Sequence, residues 1–183
     1  LRRLKALIRC HHASVELFDL EAEETLFLAV ETEGETALKP TRRMPVSWNR
    51  AFDDLQASER FLVEDVHEMP ATPITEALRQ EGVRSYVSVP LRTRDRLIGA
   101  LNAGFQTKGR PADDRLDAIH EIAQQLAIGI HHAQLHERLQ AHADELEHRV
   151  ASRTAELQAS EARFRAIFEQ SALGIGLLDR RGQ

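Results

Sequence analysis

The chain has 183 residues, 42% of them hydrophobic and 29% charged, the composition of a folded globular protein rather than a disordered one. Its 24 lysines and arginines against 29 acids leave a net charge of −5, which argues against a nucleic-acid binder, where a basic face is needed. No run approaches the roughly 18 apolar residues of a membrane span, and the single cysteine, Cys10, can form neither an internal disulfide nor a zinc site. A reducing, cytoplasmic setting without membrane contact fits these facts. The chain opens on Leu1 and closes at Gln183 just after an apolar run, so it reads as a segment excised from a longer protein.

In chain order, helical spacing marks Leu4 to Cys10, and alternation of apolar and polar residues marks strands at Ser14 to Phe18 and Thr25 to Val30. A helix is predicted over Trp48 to Ser58, a strand over Arg60 to Val66, and a second helix over Pro73 to Gln80 that Glu81-Gly82 closes with a left-handed glycine. Strands Val83 to Leu91 and Arg96 to Phe105 flank the short polar stretch Arg92-Thr93-Arg94-Asp95, so they form an antiparallel hairpin. The fold class is α+β, one antiparallel sheet flanked by helices. In the strand Val83 to Leu91, Ser85, Val87 and Val89 share one face, and Tyr86 and Ser88 the other.

Pro111 opens a different kind of sequence. Acids at 113, 114 and 117 complement a helix N-terminus, and no proline follows through Gln170. A continuous helix of that length would reach about 90 Å. Its first half carries the stripe Leu116, Ile119, Ala123, Leu126, Ile130 and Ala133; its second half narrows to a heptad seam of Leu139, Leu146, Val150, Leu157, Phe164 and Ile167, with Ala143 at another seam position. Arg153 and Ser160 weaken the centre of the seam. The whole net charge sits here, since residues 111–170 hold eleven acids and six arginines. A parallel homodimer through this seam is the expected assembly. Gly129, a glycine inside the helix, is expected to allow close approach of two helices, or of the helix and its own sheet.

Three stretches carry family resemblances. Gly82 to Leu91, then Leu97-Ile98-Gly99-Ala100-Leu101-Asn102-Ala103, and Ile122 to Ile128 leading outward resemble the C-terminal half of a GAF domain, with the match covering 1–132 and the opening helix trimmed. Glu145 to Leu157 resembles the connector helix of bacterial sensor proteins. Ser160 to Ser171 followed by Leu173 to Asp179 is similar to the opening of a PAS domain. The resulting division is a GAF-like sensory domain at 1–132, a coiled-coil signalling helix at 133–165, and a truncated PAS start at 166–183. That order implies the sensory, dimerising part of a bacterial signalling protein, a two-component histidine kinase or a diguanylate cyclase; a ligand-free structural dimerisation module is the alternative.

By resemblance to bilin-binding GAF domains, Tyr86, Ser88 and Asn102 fall at pocket positions, closed over by Trp48, Phe52, Val66, Ile74 and Leu78. The implied site is an apolar cavity with a few polar groups, suited to a small molecule that the sequence does not name. The same resemblance puts Ile74 where those proteins have a histidine, and no cysteine lies between Phe61 and Leu78, so bilin attachment is not expected. Haem would need an axial histidine, and His67 alone lies near that wall. Arg84 or Arg92 could meet a cyclic-nucleotide phosphate. On the long helix, His132 and His136 lie one turn apart without a third metal ligand, and His136-Glu137 lacks the proline of a phosphoacceptor motif. No P-loop, nucleophile elbow or kinase motif occurs, so the segment is not expected to be an enzyme and needs no cofactor or metal.

Overall fold

The computed structural model describes residues 1–94 and 96–172, with side chains through residue 168; Asp95 of the expected hairpin turn and residues 173–183 of the PAS-like stretch lie outside the described residues. Elements follow as α1 (Arg2–Ile8), β1 (His12–Asp19), β2 (Glu24–Glu31), β3 (Arg43–Pro45), a 3₁₀ turn (Val46–Trp48), α2 (Phe52–Ala57), β4 (Phe61–Val63), a second 3₁₀ turn (Val66–Glu68), α3 (Pro73–Gln80), β5 (Ser85–Thr93), β6 (Arg96–Phe105) and α4 (Asp113–Ala172). The strands form one six-stranded sheet in the order β3-β2-β1-β6-β5-β4, and each neighbouring pair is antiparallel. Close contacts divide the chain into two units, Leu1–His132 and Ala133–Gln183.

Local chemistry explains where the elements depart from their predicted bounds. Helix α1 stops at Ile8 because Arg9 turns left-handed, with φ 49°. The helix expected over Trp48 to Ser58 is broken at Asn49, whose backbone is extended and whose Oδ1 accepts the Ala51 amide at 3.0 Å. An asparagine that bonds the backbone two residues on competes with helix. Strand β4 ends at Val63, since Asp65 caps a 3₁₀ turn by accepting the His67 amide at 3.0 Å. Strand β3 was not predicted; three residues give no readable alternation. Pairing of β5 with β6 continues through Arg92 with Leu97 to Thr93 with Arg96, so the turn is shorter than the predicted four residues.

Helix α3 is found at its predicted bounds. Thr72 and Thr75 form a reciprocal capping pair, and Pro73 occupies the first turn. At the other end Gly82 has φ 78°, its amide reaches the Arg79 carbonyl at 3.0 Å and the Val83 amide the Leu78 carbonyl at 2.9 Å. That pair of bonds is a Schellman stop. It consumes Gly82 and Val83, so β5 begins at Ser85.

Both sheet faces are covered. On one face Ala13, Val15, Val87, Val89, Leu101 and Ala103 pack with Ile8 of α1 and with Leu116, Ile119, Ala123 and Ala127 of α4. Each large side chain buried here contributes about 1.5 to 3 kcal/mol. The α4 stripe differs from the predicted one at its end, where Ala127 is buried and Ala133 exposed. Helix spacing from Leu116 through Ile119 and Ala123 selects 127 on the same face. On the other face Phe27, Leu38, Met44, Val66, Leu78 and Tyr86 form one cluster, and Phe18, Leu55 and Leu97 another. Gly129 is exposed, and a Cβ built there meets nothing within 4 Å; the expected close approach to its own sheet is not made.

In the second unit α4 runs on with ion pairs one turn apart, such as Glu145 with Arg149 at 2.6 Å and Glu161 with Arg165 at 3.2 Å. Leu139, Leu146, Val150, Leu157, Phe164 and Ile167 are all exposed in the single chain, from 58% to 71%. Among the described residues no helix is long and apolar enough to cross a membrane.

Candidate ligand-binding site

Strand β1 is interior to the sheet, and its even-numbered residues point away from α1 and α4. His12, Ser14 and Glu16 therefore lie on the same side as Tyr86 and Ser88 of β5 and Asn102 of β6, and all six line one cavity. All but Asn102 are buried. Over them lie Phe27 of β2, Leu38, the segment Trp48-Asn49-Arg50, and Ile74, Thr75 and Leu78 of α3. The cavity's free volume is about 30 Å³, room for about two waters.

A continuous polar network forms the floor. Ser88 stands directly across from Asn102 and donates its hydroxyl to Asn102 Oδ1. Asn102 Nδ2 donates to Glu16 Oε1 at 3.1 Å and to Ser14 Oγ at 3.3 Å. From the covering segment, Asn49 Nδ2 reaches the same Glu16 Oε1 at 2.7 Å. His12 Nε2 lies 3.2 Å from Ser14 Oγ, and His12 Nδ1 lies 2.6 Å from Glu81 Oε2. A carboxylate only accepts, so the proton of that contact sits on Nδ1. Thr36 donates to the other Glu81 oxygen. The network links β5, β6 and β1 to the end of α3 and to the loops over the cavity.

The two carboxylates behave oppositely. Burial pushes Glu16 up to about 7, against the pull of the amides of Asn102 and Asn49. Glu81 is held below the usual carboxylate range: burial opposes this, but hydrogen bonding and charge from His12, with Thr36, outweigh it. Glu16 has no ion-pair partner among the described residues, and both of its hydrogen bonds end on one oxygen. Gly99 makes room for this strand. Paired with Leu17, it lies so close to the Glu16 carbonyl oxygen that a Cβ would come within 2.0 Å of it.

Of the residues predicted for the site, Trp48, Ile74, Leu78, Tyr86, Ser88 and Asn102 line the cavity. Phe52 and Val66 do not. Phe52 turns its ring edge-on to Phe18 at 5.0 Å, and Val66 is wholly buried in the cluster around Phe27. The expected mix of apolar walls and a few polar groups is present, with the polar groups gathered on the sheet side as His12, Ser14, Glu16, Ser88 and Asn102 beside Phe27, Tyr86, Ala103 and Gly104. His12, Ser14, Glu16 and Asn49 escaped prediction. In sequence, alternating polar residues on a strand resemble a solvent face, and only a second covered face reveals them as buried.

Other sequence candidates are accounted for elsewhere. The histidine on the cavity is His12, not His67, which is exposed, and both His12 nitrogens are engaged. Arg84 pairs with Asp65 at 3.0 Å, while Arg92 donates to the Leu55 and Gln56 carbonyls at the end of α2. Cys10 is buried, and burial pushes its thiol up to about 11, away from reactivity. Among the described residues no three His, Cys, Asp or Glu side chains are grouped to hold a metal. A larger open groove of about 590 Å³ runs beside α1, but its Arg2, Lys5 and His11 already face Glu31 and Glu33.

A six-stranded antiparallel sheet with α1 and α4 on one face and a cavity covered by α3 and loops on the other defines a sensory module of the GAF type. The family model described as GAF domain matches residues 2–131. The chain belongs to the GAF domain family. Among solved structures it is similar to a domain assigned to a two-component sensor histidine kinase of Sinorhizobium meliloti 1021, at 26% identity and TM-score 0.56, covering 75% of this chain and 92% of that one. It shares its fold with the phycocyanobilin-bound GAF domain of a cyanobacterial phytochrome, at 22% identity and TM-score 0.58, covering 73% and 81%. The PixJ GAF domain of Thermosynechococcus elongatus in its blue-light absorbing form gives 17% and 0.59, covering 77% and 86%. No curated protein matches this chain.

Proposed function

We propose that residues 1–132 are the cytoplasmic small-molecule sensor of a two-component histidine kinase, and that the seam of α4 joins two chains in parallel and carries the signal toward a PAS module beginning near residue 166. The observation that carries this reading is the alternation of β5. Tyr86 and Ser88 line the cavity, while Val87 and Val89, one residue away, pack in the cluster that contains Leu116, Ile119 and Ala123 of α4. A ligand that favours one arrangement of the strand therefore biases the start of the helix, by its differential affinity for the two arrangements. Six exposed apolar seam residues support the dimer, and similarity to the domain from the Sinorhizobium sensor histidine kinase protein supports the parent class.

The test is hydrogen exchange on the 183-residue chain, with compounds first found by thermal shift and by native mass spectrometry of the purified protein. A ligand that protects β5 and also changes exchange over residues 113–131 supports the reading. A chain that carries no small molecule, is stabilised by none, and keeps the cavity residues fixed favours the ligand-free dimerisation module, for which the small free volume and the internal Ser88 bond already speak.

A further inference from the structure

The cavity brings together three features that point to one ligand chemistry. The first is Glu16, 2% exposed, whose Oε1 takes both hydrogen bonds while Oε2 has no partner among the described residues. A buried carboxylate without a counter-charge is costly, and it gains from any group that brings positive charge and N–H donors to it. The second is aromatic. The chain has one tryptophan and one tyrosine, and both Trp48 and Tyr86 line this cavity together with Phe27. Aromatic faces attract cations through the ring quadrupole, most strongly where water is excluded. The third is size, because space for about two waters suits a head group of two or three heavy atoms.

We propose that the cavity recognises a small organic cation, an alkylammonium or amidinium-type nitrogen, with Glu16 Oε2 accepting from it and Trp48, Tyr86 and Phe27 around it. The proposal rests on the reading of the cavity as the sensory site. The other charged groups nearby are compatible with it. His12 is committed to Glu81, and Arg50, the other lining residue with a cationic side chain, is exposed, where it can meet an anionic end of a zwitterion. Asn49 gives the cation a route to the cover: it shares the Glu16 carboxyl with the ligand and also orders the turn into α2 through Ala51. A ligand drawing on Glu16 thus acts on the same segment that closes the cavity.

The experiment is calorimetry and thermal shift on the full 183-residue chain at pH 8, with methylammonium and butylammonium as probes and butanol and butyrate as neutral and anionic counterparts. The cations raise the melting temperature and the counterparts do not. Glu16→Gln, which keeps the Oε1 acceptor, lowers cation affinity by about tenfold or more, and Trp48→Leu lowers it as well. If butanol or butyrate stabilises the chain as well as the cations, or either variant binds the cations undiminished, the cation proposal falls and the sensory cavity stands. If none of the four probes, nor any metabolite in the thermal-shift screen above, stabilises the chain, both readings fall.

Discussion

Replacing Glu16 by glutamine should stabilise the protein in mild alkali and leave it almost unchanged at pH 4.5. The substitution keeps size and shape, and the side-chain oxygen still accepts from Asn49 and Asn102, at 2.7 and 3.1 Å in the native chain. What it removes is ionisation. Burial pushes the Glu16 carboxyl from 4.5 up to about 7. Below 4.5 the group is protonated whether the chain is folded or not. Between 4.5 and 7 the unfolded chain releases the proton and the folded chain retains it, so native stability falls as pH rises, and above 7 the loss is complete. A displacement of that size corresponds to at most about 3.5 kcal/mol, or about 7 to 14 °C in melting temperature for a chain this long. Glu81 and Asp65 are displaced downward, so their stability effects develop as pH falls below the usual carboxylate range and do not enter this window. Urea unfolding of both proteins at half-unit steps from pH 4.5 to 8 measures the difference directly. A difference independent of pH, or a glutamine variant less stable at pH 8, would refute the argument.

Three further substitutions test separate parts of the structure. Gly99→Ala forces a Cβ to within 2.0 Å of the Glu16 carbonyl oxygen; with backbone as the obstacle the cost is about 1 to 3 kcal/mol, read from the urea midpoint. Gly129→Ala fills open space on a helix and should gain about 0.5 to 1 kcal/mol; a loss would revive close approach to a partner. Leu146→Asp, at a side chain 58% exposed in the single chain, should convert a dimer to a monomer by light scattering at tens of micromolar, since it removes about 1.5 to 3 kcal/mol of burial per chain and adds like charges at the seam.

Most of the scaffold was readable because its signals are local. Thr72, Pro73 and Gly82 bound α3 by capping chemistry alone, and the alternation of Val87 and Val89 against Tyr86 and Ser88 assigned the two faces of β5 correctly. The failures are tertiary. Asn49 breaks its helix through a local bond to Ala51, but its amide is also anchored to a carboxylate 33 residues away, which no window over Trp48 to Ser58 contains. His12, Ser14 and Glu16 look like a wet face until the cover from residues 36–50 and α3 is placed over them. Phe52 and Val66 have the right composition for a cavity wall, but Phe52 packs edge-on to Phe18 and Val66 lies in the buried cluster with Phe27. The β1 part of the polar floor was thus hidden by the same long-range covering that makes it a site, while Ser88 and Asn102 beside it were legible.

Whether the state of the cavity reaches a parallel pair of helices is measured most directly by pulsed electron–electron double resonance. A spin label at Ser152→Cys sits on an exposed position beside Val150 of the seam, while Cys10 is buried with its thiol pushed up to about 11 and stays unlabelled at neutral pH. Helices packed at about 8 to 10 Å place the two labels roughly 20 to 30 Å apart. The prediction is one narrow distance in that range, displaced when a cavity-binding compound is added. The absence of any such distance, or a distance that the compound leaves unchanged, would contradict it.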